Sequence, residues 1–204
     1  MIITILIIAV TCVASFLAFN SYVTMNRLIL WPPAVKRDRE YWRLVTYGLI
    51  HADGQHLLFN MITLYFFGQY MERIYVNEIG AIGYVLFYVG GLVASILPSY
   101  ATNENNPEYR SLGASGAVSA VLFAFILVHP WAMIYFVVFP IPAILYAVLY
   151  LGYSIYMDRR GPGNINHSAH LWGAAYGVAF TLVMEPARFS AFFEALGHPS
   201  FGRY

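Results

Sequence analysis

Three sets of polar residues sit in otherwise apolar stretches of this chain: Ser115 in Gly113-Ala114-Ser115-Gly116, His170 in Ala169-His170-Leu171-Trp172-Gly173, and His56 with Asn60 four residues on. A serine becomes a nucleophile when a base takes its proton, and imidazole is the commonest base. Side chains and backbone N–H groups that donate to one oxygen stabilise the oxyanion formed when serine attacks a carbonyl. These are the parts of acyl transfer, placed where water is scarce. Each has a plainer use as well. Clusters of small residues pack membrane helices closely, and His and Asn bridge such helices by hydrogen bonds. A buried histidine also often serves only to bond a backbone carbonyl. Ionisable residues inside apolar spans are costly and usually mark function, and three such signals on three segments are better explained together than apart.

The spacing assigns roles. Ser115 opens an apolar run, and a helix starting there offers unpaired N–H groups and a partial positive charge beside the hydroxyl. Gly113 and Gly116 permit a tight turn and close backbone approach. Gly173 and Gly177 follow His170 at three and seven residues, giving a small-residue face on which the His170 helix can approach that of Ser115. His56 and Asn60, at i and i+4, share one helix face and can donate to one oxygen. Asp53 and Asp158 fall in loops, so no carboxylate orients His170, and a Ser-His dyad is expected instead of a triad. His-Glu-x-x-His is absent, and so is a pair of intramembrane aspartates. His167 and His170 at i, i+3 could chelate a metal, but no carboxylate or thiol joins them. No metal and no organic cofactor is expected.

The elements that must position these groups follow from composition. Of 204 residues 60% are hydrophobic and 10% charged, against about 25% charged in soluble domains. This is an integral membrane protein, sized for one helical domain over residues 1–204. A net charge of +1 argues against nucleic acid as a partner. Cys12 is the lone cysteine, which excludes an intrachain disulfide. Met1 to Phe19 is apolar with no Lys or Arg ahead of it, a retained transmembrane helix by these signs and not a secretory signal. The fold class is all-α, with six transmembrane helices at about 2–23, 55–74, 79–97, 115–128, 142–157 and 166–184. Trp31-Pro32-Pro33 is expected to stop any helix. Residues 31–55, with the charged run 36–40, form a long interfacial loop in which Trp31, Tyr41 and Trp42 suit the headgroup layer. Glu72 and Arg73 close the second span, and Pro98 ends the third. The alternative for 131–157 is one kinked helix in place of a span starting near Pro142. Phe189, Phe192, Phe193 and Leu196 give an amphipathic tail helix over about 187–198.

The fourth span has a further consequence. From Ser115 to Val128 an α-helix rises about 21 Å, short of a hydrocarbon core about 30 Å thick. Ser115 is therefore expected below one membrane surface, at the foot of the polar loop 99–112, where water can reach it.

His56-x-x-x-Asn60, Gly113-x-Ser115-Gly116 and Ala169-His170-x-x-Gly173-x-x-x-Gly177, in this order on the second, fourth and sixth spans, resemble the rhomboid family of intramembrane serine proteases. Glu40-x-Trp42-Arg43 also matches the family's motif in the long first loop. The resemblance covers nearly the whole chain. It implies Ser115 as nucleophile, His170 as general base and acid, and His56, Asn60 and the Ser115 N–H as oxyanion donors. It implies that Glu40 and Arg43 hold the loop's fold. It also implies membrane-anchored protein substrates in the lipid bilayer, and a fifth helix and a 158–165 loop resembling the family's gate and cap. The chain departs from the pattern in one place. Some members carry an aromatic four residues after the serine, stacked on the histidine, and here that position is Ser119. The implied setting is a bacterial cytoplasmic membrane with the active site open to the outer face. That puts Lys36, Arg37, Arg39, Arg43, Arg110, Arg159 and Arg160 outside and Arg73, Arg188 and Arg203 inside, the reverse of what the positive-inside rule prefers. The rival reading is a catalytically inactive rhomboid-like protein that binds and retains membrane proteins. Such proteins typically lose the serine or the histidine, and this chain keeps both.

Overall fold

The computed structural model describes residues 1–136, 139–161, 163 and 165–200; Pro162 and Asn164 of the expected cap loop, and Arg203, lie outside the described residues. The chain is predominantly helical. Helix α1 (Ile2–Phe19) ends earlier than the expected first span. Asn20 turns its amide back to the Phe16 carbonyl at 2.8 Å, and Ser21 caps a separate α2 (Tyr22–Leu28) by accepting the Thr24 N–H.

Three features of residues 31–55 differ from an irregular loop. No helix runs through Trp31-Pro32-Pro33, since α2 ends at Leu28 and Trp31 is extended, but Pro32 and Pro33 open a new helix, α3 (Pro32–Asp38), because the first turn needs no proline N–H and suits its fixed φ. A short α4 (Arg43–Thr46) and a 3₁₀ turn over Tyr47–Leu49 follow. Arg43 holds the assembly from inside: only 7% exposed, it pairs with Glu40 and donates from Nη1 to the Asn26 and Ile29 carbonyls at 2.7 Å each. Trp42, 49% exposed, faces outward and is not part of the packing that Arg43 organises.

Helix α5 (Gly54–Thr63) passes through a π-helical turn at Leu64–Gly68 into α6 (Gln69–Asn103). Gly80, at φ 77°, kinks α6 into two parts, and Pro98 lies within the second part instead of ending it. A proline deletes one backbone donor, a loss that packed membrane helices accommodate. Glu72 does not end the helix, which runs on past it. It is 2% exposed and accepts the Ile3 and Thr4 N–H groups at 3.1 and 2.9 Å, satisfying donors that the first turn of α1 leaves unpaired.

Helix α7 (Ser115–Val128) lies at the centre, with every residue from Gly116 to Leu127 buried. An apolar residue on every side suits a helix enclosed on every side. The aromatic and β-branched run after Pro130 is neither loop nor kinked helix. Strands β1 (Met133–Phe136) and β2 (Phe139–Pro142) pair antiparallel, with Ile134 opposite Ile141, so the fold departs from all-α at this hairpin. Such residues suit a pleated strand, and Pro140 and Pro142 are tolerated because a two-stranded ribbon has only edges. Then come α8 (Ala143–Arg159), α9 (His167–Met184) and α10 (Ala187–Gly197). Helix α10 is moored by Trp131, which donates to the Ala195 carbonyl, and by Arg188, which bridges Glu78 and Glu185.

Among the described residues two helices, Ile2–Phe19 and the kinked Gly54–Asn103, are long and apolar enough to cross a membrane.

Candidate active site

Helix α9 meets α7 along its glycines. A Cβ built on Gly173 would overlap the Gly116 carbonyl, and one on Gly177 the Ala120 carbonyl. The two pairs repeat with the four-residue spacing of both helices, so the backbones touch over a full turn. That approach carries His170 to Ser115, and the imidazole Nε2 lies 2.8 Å from Ser115 Oγ. For the hydroxyl to donate, Nε2 must be bare and Nδ1 must hold the ring proton. No carboxylate is hydrogen-bonded to His170 among the described residues. Neither is any group of three or more His, Cys, Asp and Glu placed to hold a metal ion.

Ser115 is the first residue of α7, and the Ala114 carbonyl accepts the Val118 N–H. By helix geometry the N–H groups of Ser115, Gly116 and Ala117 have no partner within α7. Gly113, at φ +113°, makes the turn that presents them, a conformation strained for any residue with a Cβ. The His56 ring rests against Gly113, where a Cβ would overlap Cε1 and Nε2. Asp53 caps α5 by accepting the His56 N–H at 2.7 Å, fixing the turn that carries His56. Asn60, 6% exposed, donates from Nδ2 to the His56 carbonyl at 3.0 Å, leaving its second amide hydrogen for another acceptor. The structure thus gathers Ser115, His170, Gly113, Gly116 and His56 at one place, with Asn60 on the His56 face of α5 and Gly173 and Gly177 at the α7–α9 contact. Glu40, Trp42 and Arg43 lie in the loop, away from it.

Three supporting groups escaped the reading of the sequence. Asn166 caps α9 through the Ala169 N–H at 3.0 Å, and its Nδ2 donates to Tyr109 Oη and Ser99 Oγ, tying the start of the His170 helix to α6 and the polar loop. His51 is fully buried. Its Nε2 accepts the Ala114 N–H at 3.3 Å, its Nδ1 faces Ser15 Oγ at 3.0 Å, and Ser15 donates to the Leu49 carbonyl. This chain fixes the tautomer and clamps the residue before Ser115. The third group, Tyr150, stacks on the His170 ring.

Burial pushes the His51 imidazole down, to about 3, with His56 adding to the effect and Asp53 opposing it. The folded state binds a proton less readily than the unfolded chain, whose histidine titrates near 6.5, so the contribution is complete above pH 6.5 and is lost as pH falls from there towards 3. Across that window the His51 share of stability should fall by up to about 1.4 kcal/mol per pH unit. His51→Gln, which can still accept from Ala114 and donate to Ser15, should flatten the slope of the thermal midpoint between pH 6.5 and 4. Equal slopes for the variant and the wild type would refute this role.

A family model described as Rhomboid domain matches residues 38–187. Relatives include the mitochondrial RHOMBOID-like protein 12 of Arabidopsis thaliana, 32% identical over 84% of this chain and 54% of its own length. The rhomboid protease GlpG of Haemophilus influenzae is 27% identical over 90% of this chain and 91% of its own. The putative rhomboid protease YdcA of Bacillus subtilis is 28% identical over 80% and 81% respectively. This chain thus matches just over half of the plant relative and nearly the full length of GlpG.

Proposed function

The chain belongs to the rhomboid family of integral membrane proteins, and on that premise we propose that it is an intramembrane serine endopeptidase cleaving membrane-anchored proteins. The carrying observation is the 2.8 Å contact between His170 Nε2 and Ser115 Oγ, at the head of a buried helix. Ser115 Oγ attacks the scissile carbonyl while His170 takes the hydroxyl proton. The oxyanion is held by the Ser115 N–H, the His56 ring and the free amide hydrogen of Asn60. His170 passes its proton to the leaving amine, giving an acyl-enzyme ester on Ser115. Water, deprotonated by His170, then hydrolyses the ester and restores the hydroxyl.

The proposed architecture is a single rhomboid-like membrane domain over residues 1–204, with six spans: α1, α5 continuing to Gly80, the rest of α6, α7, α8 and α9. Water reaches Ser115 from the polar-loop side, set towards the outer face of a bacterial cytoplasmic membrane. Several cations on that side are taken up by the loops themselves, which weakens their weight in the positive-inside count. Arg43 is paired with Glu40 and buried, Lys36 pairs with Glu104 at 2.6 Å, and Arg110 lies 4.6 Å from the Trp31 ring centroid.

The test is reaction of the detergent-solubilised protein with a fluorophosphonate probe, which labels activated serines. Labelling is expected, and a folded protein that stays unlabelled beside an active relative would sink the proposal. Asn60→Ala should lower turnover by about 10²–10³-fold, the usual cost of one oxyanion donor. An Asn60→Ala protein cleaving substrate at the wild-type rate would remove Asn60 from the oxyanion site.

A further inference from the structure

The His170 ring has one broad face on Tyr150 of α8, with centroids 5.9 Å apart and planes 25° from parallel. The phenol is fixed at both ends. Its hydroxyl lies 2.6 Å from Ser119 Oγ on α7, and its ring packs on Phe123 of α7 and stacks on Tyr146 one turn back on α8. Ser119 is 3% exposed, so its hydroxyl is buried with the phenol as its partner. Among the described residues no carboxylate is hydrogen-bonded to His170. Its ring has the Tyr150 stack on a broad face and an edge contact with His167, centroids 5.6 Å apart, and a stack on a broad face opposes rotation of the imidazole about its Cβ–Cγ bond. We propose that Tyr150, tethered by Ser119, is the positioning residue that holds His170 in line with Ser115.

This rests on the reading of Ser115 and His170 as nucleophile and base. It resolves the departure at Ser119, where some family members carry an aromatic. Here α7 supplies a hydroxyl, and the aromatic platform comes across from α8. A tyrosine at position 119 would compete for the space that Tyr150 fills, and a serine there leaves room for the phenol and gives it an anchor. The alignment of the base therefore depends on α8 staying packed against α7 and α9. Tyr153, one turn further along α8, continues the same face onto His167 at 5.5 Å, so the contact between α8 and α9 is aromatic along this stretch.

The test is the second-order rate of labelling by a fluorophosphonate probe, which reports activation of the serine without a substrate having to dock. Tyr150→Leu should slow labelling by roughly 10–10²-fold, as loss of alignment does, while Tyr150→Phe keeps the stack but loses the tether and should slow it by about 2–10-fold, the worth of one hydrogen bond. Adding Ser119→Tyr to Tyr150→Leu should restore part of the rate by supplying the ring from α7. A wild-type rate in Tyr150→Leu, or no recovery in the double variant, overturns the proposal. Should Tyr150→Leu not fold, Ser119→Ala and Tyr150→Phe decide. Each removes the same hydrogen bond, so they should slow labelling alike and without additivity, and additive effects or none overturn it. Failure of the wild type to label would instead count against the dyad. The platform is then read from the His170 ring protons by nuclear magnetic resonance: an upfield shift that disappears in Tyr150→Leu supports the stack, and unchanged positions reject it.

Discussion

Ser115→Ala and His170→Ala are each expected to lower turnover by at least about 10⁴-fold and to abolish fluorophosphonate labelling, because the two side chains act as one unit. Neither should unfold the protein. Ser115 contributes one hydrogen bond, to His170, and losing such a bond costs about 1 kcal/mol. His170→Ala also gives up the stack on Tyr150, so it should be the less stable of the two. The double variant discriminates further. If the residues work as a dyad, Ser115→Ala with His170→Ala is no slower than either alone, since the second substitution removes a partner of something already gone. Multiplicative losses would mean two independent contributions and would break the dyad. The measurement is turnover of a membrane-anchored substrate in detergent, beside a thermal midpoint for each variant. A substantial residual rate in Ser115→Ala would move the nucleophile elsewhere.

What could be read in advance divides along a physical line. Helix α7 was legible because its apolar run is bounded by signals of different kinds, Gly113 at one end and His129-Pro130 at the other. The possibility of close approach between α7 and α9 was legible from Gly173 and Gly177, since small residues at three- and four-residue steps have few other uses in a membrane helix. The hairpin was not. Met133 to Phe139 is apolar on every side, and a run without polar alternation has no period to distinguish strand from helix. The charged loop was misjudged for a related reason. Charge and proline mark where a transmembrane span cannot be, but they do not forbid the short helices that Pro32 and Arg43 organise. His51 and Tyr150 escaped because their partners are remote in the chain. His51 reaches Ala114 across 63 residues, and only the fold brings Tyr150 of α8 to His170 of α9. The tyrosines at 146, 150 and 153 did carry a signal, an aromatic stripe at helical spacing. In a membrane helix such a stripe faces lipid as readily as protein, so the pattern alone does not say which.

The glycines allow a test of how much the site owes to packing far from the chemistry. Gly177→Val is expected to depress turnover by at least about 10²-fold, although position 177 lies about 10 Å along α9 from His170. Even one Cβ at position 177 overlaps the Ala120 carbonyl, which is backbone and cannot rotate away, so α9 must move off α7. A displacement of about 1 Å between reacting groups is enough for a loss of that size. The overpacking itself should cost about 1–3 kcal/mol of stability. Gly152→Ala is the control for loss of a helical glycine where a Cβ has room. Gly152 lies inside α8 with nothing within 4 Å of the added methyl, so its replacement should be neutral for turnover, and stabilising by about 0.5–1 kcal/mol because alanine favours the helix. Labelling rates and thermal midpoints of both variants carry the test. If Gly177→Val reacted at the wild-type rate, the contact between α7 and α9 would be unnecessary for aligning His170, and alignment would have to come from the Tyr150 side alone. If both glycine variants were impaired alike, the effect would lie in helix flexibility and not in the approach of two backbones. Loss at 177 with none at 152 is the outcome expected when a serine and a histidine on separate helices depend on two glycines for their meeting.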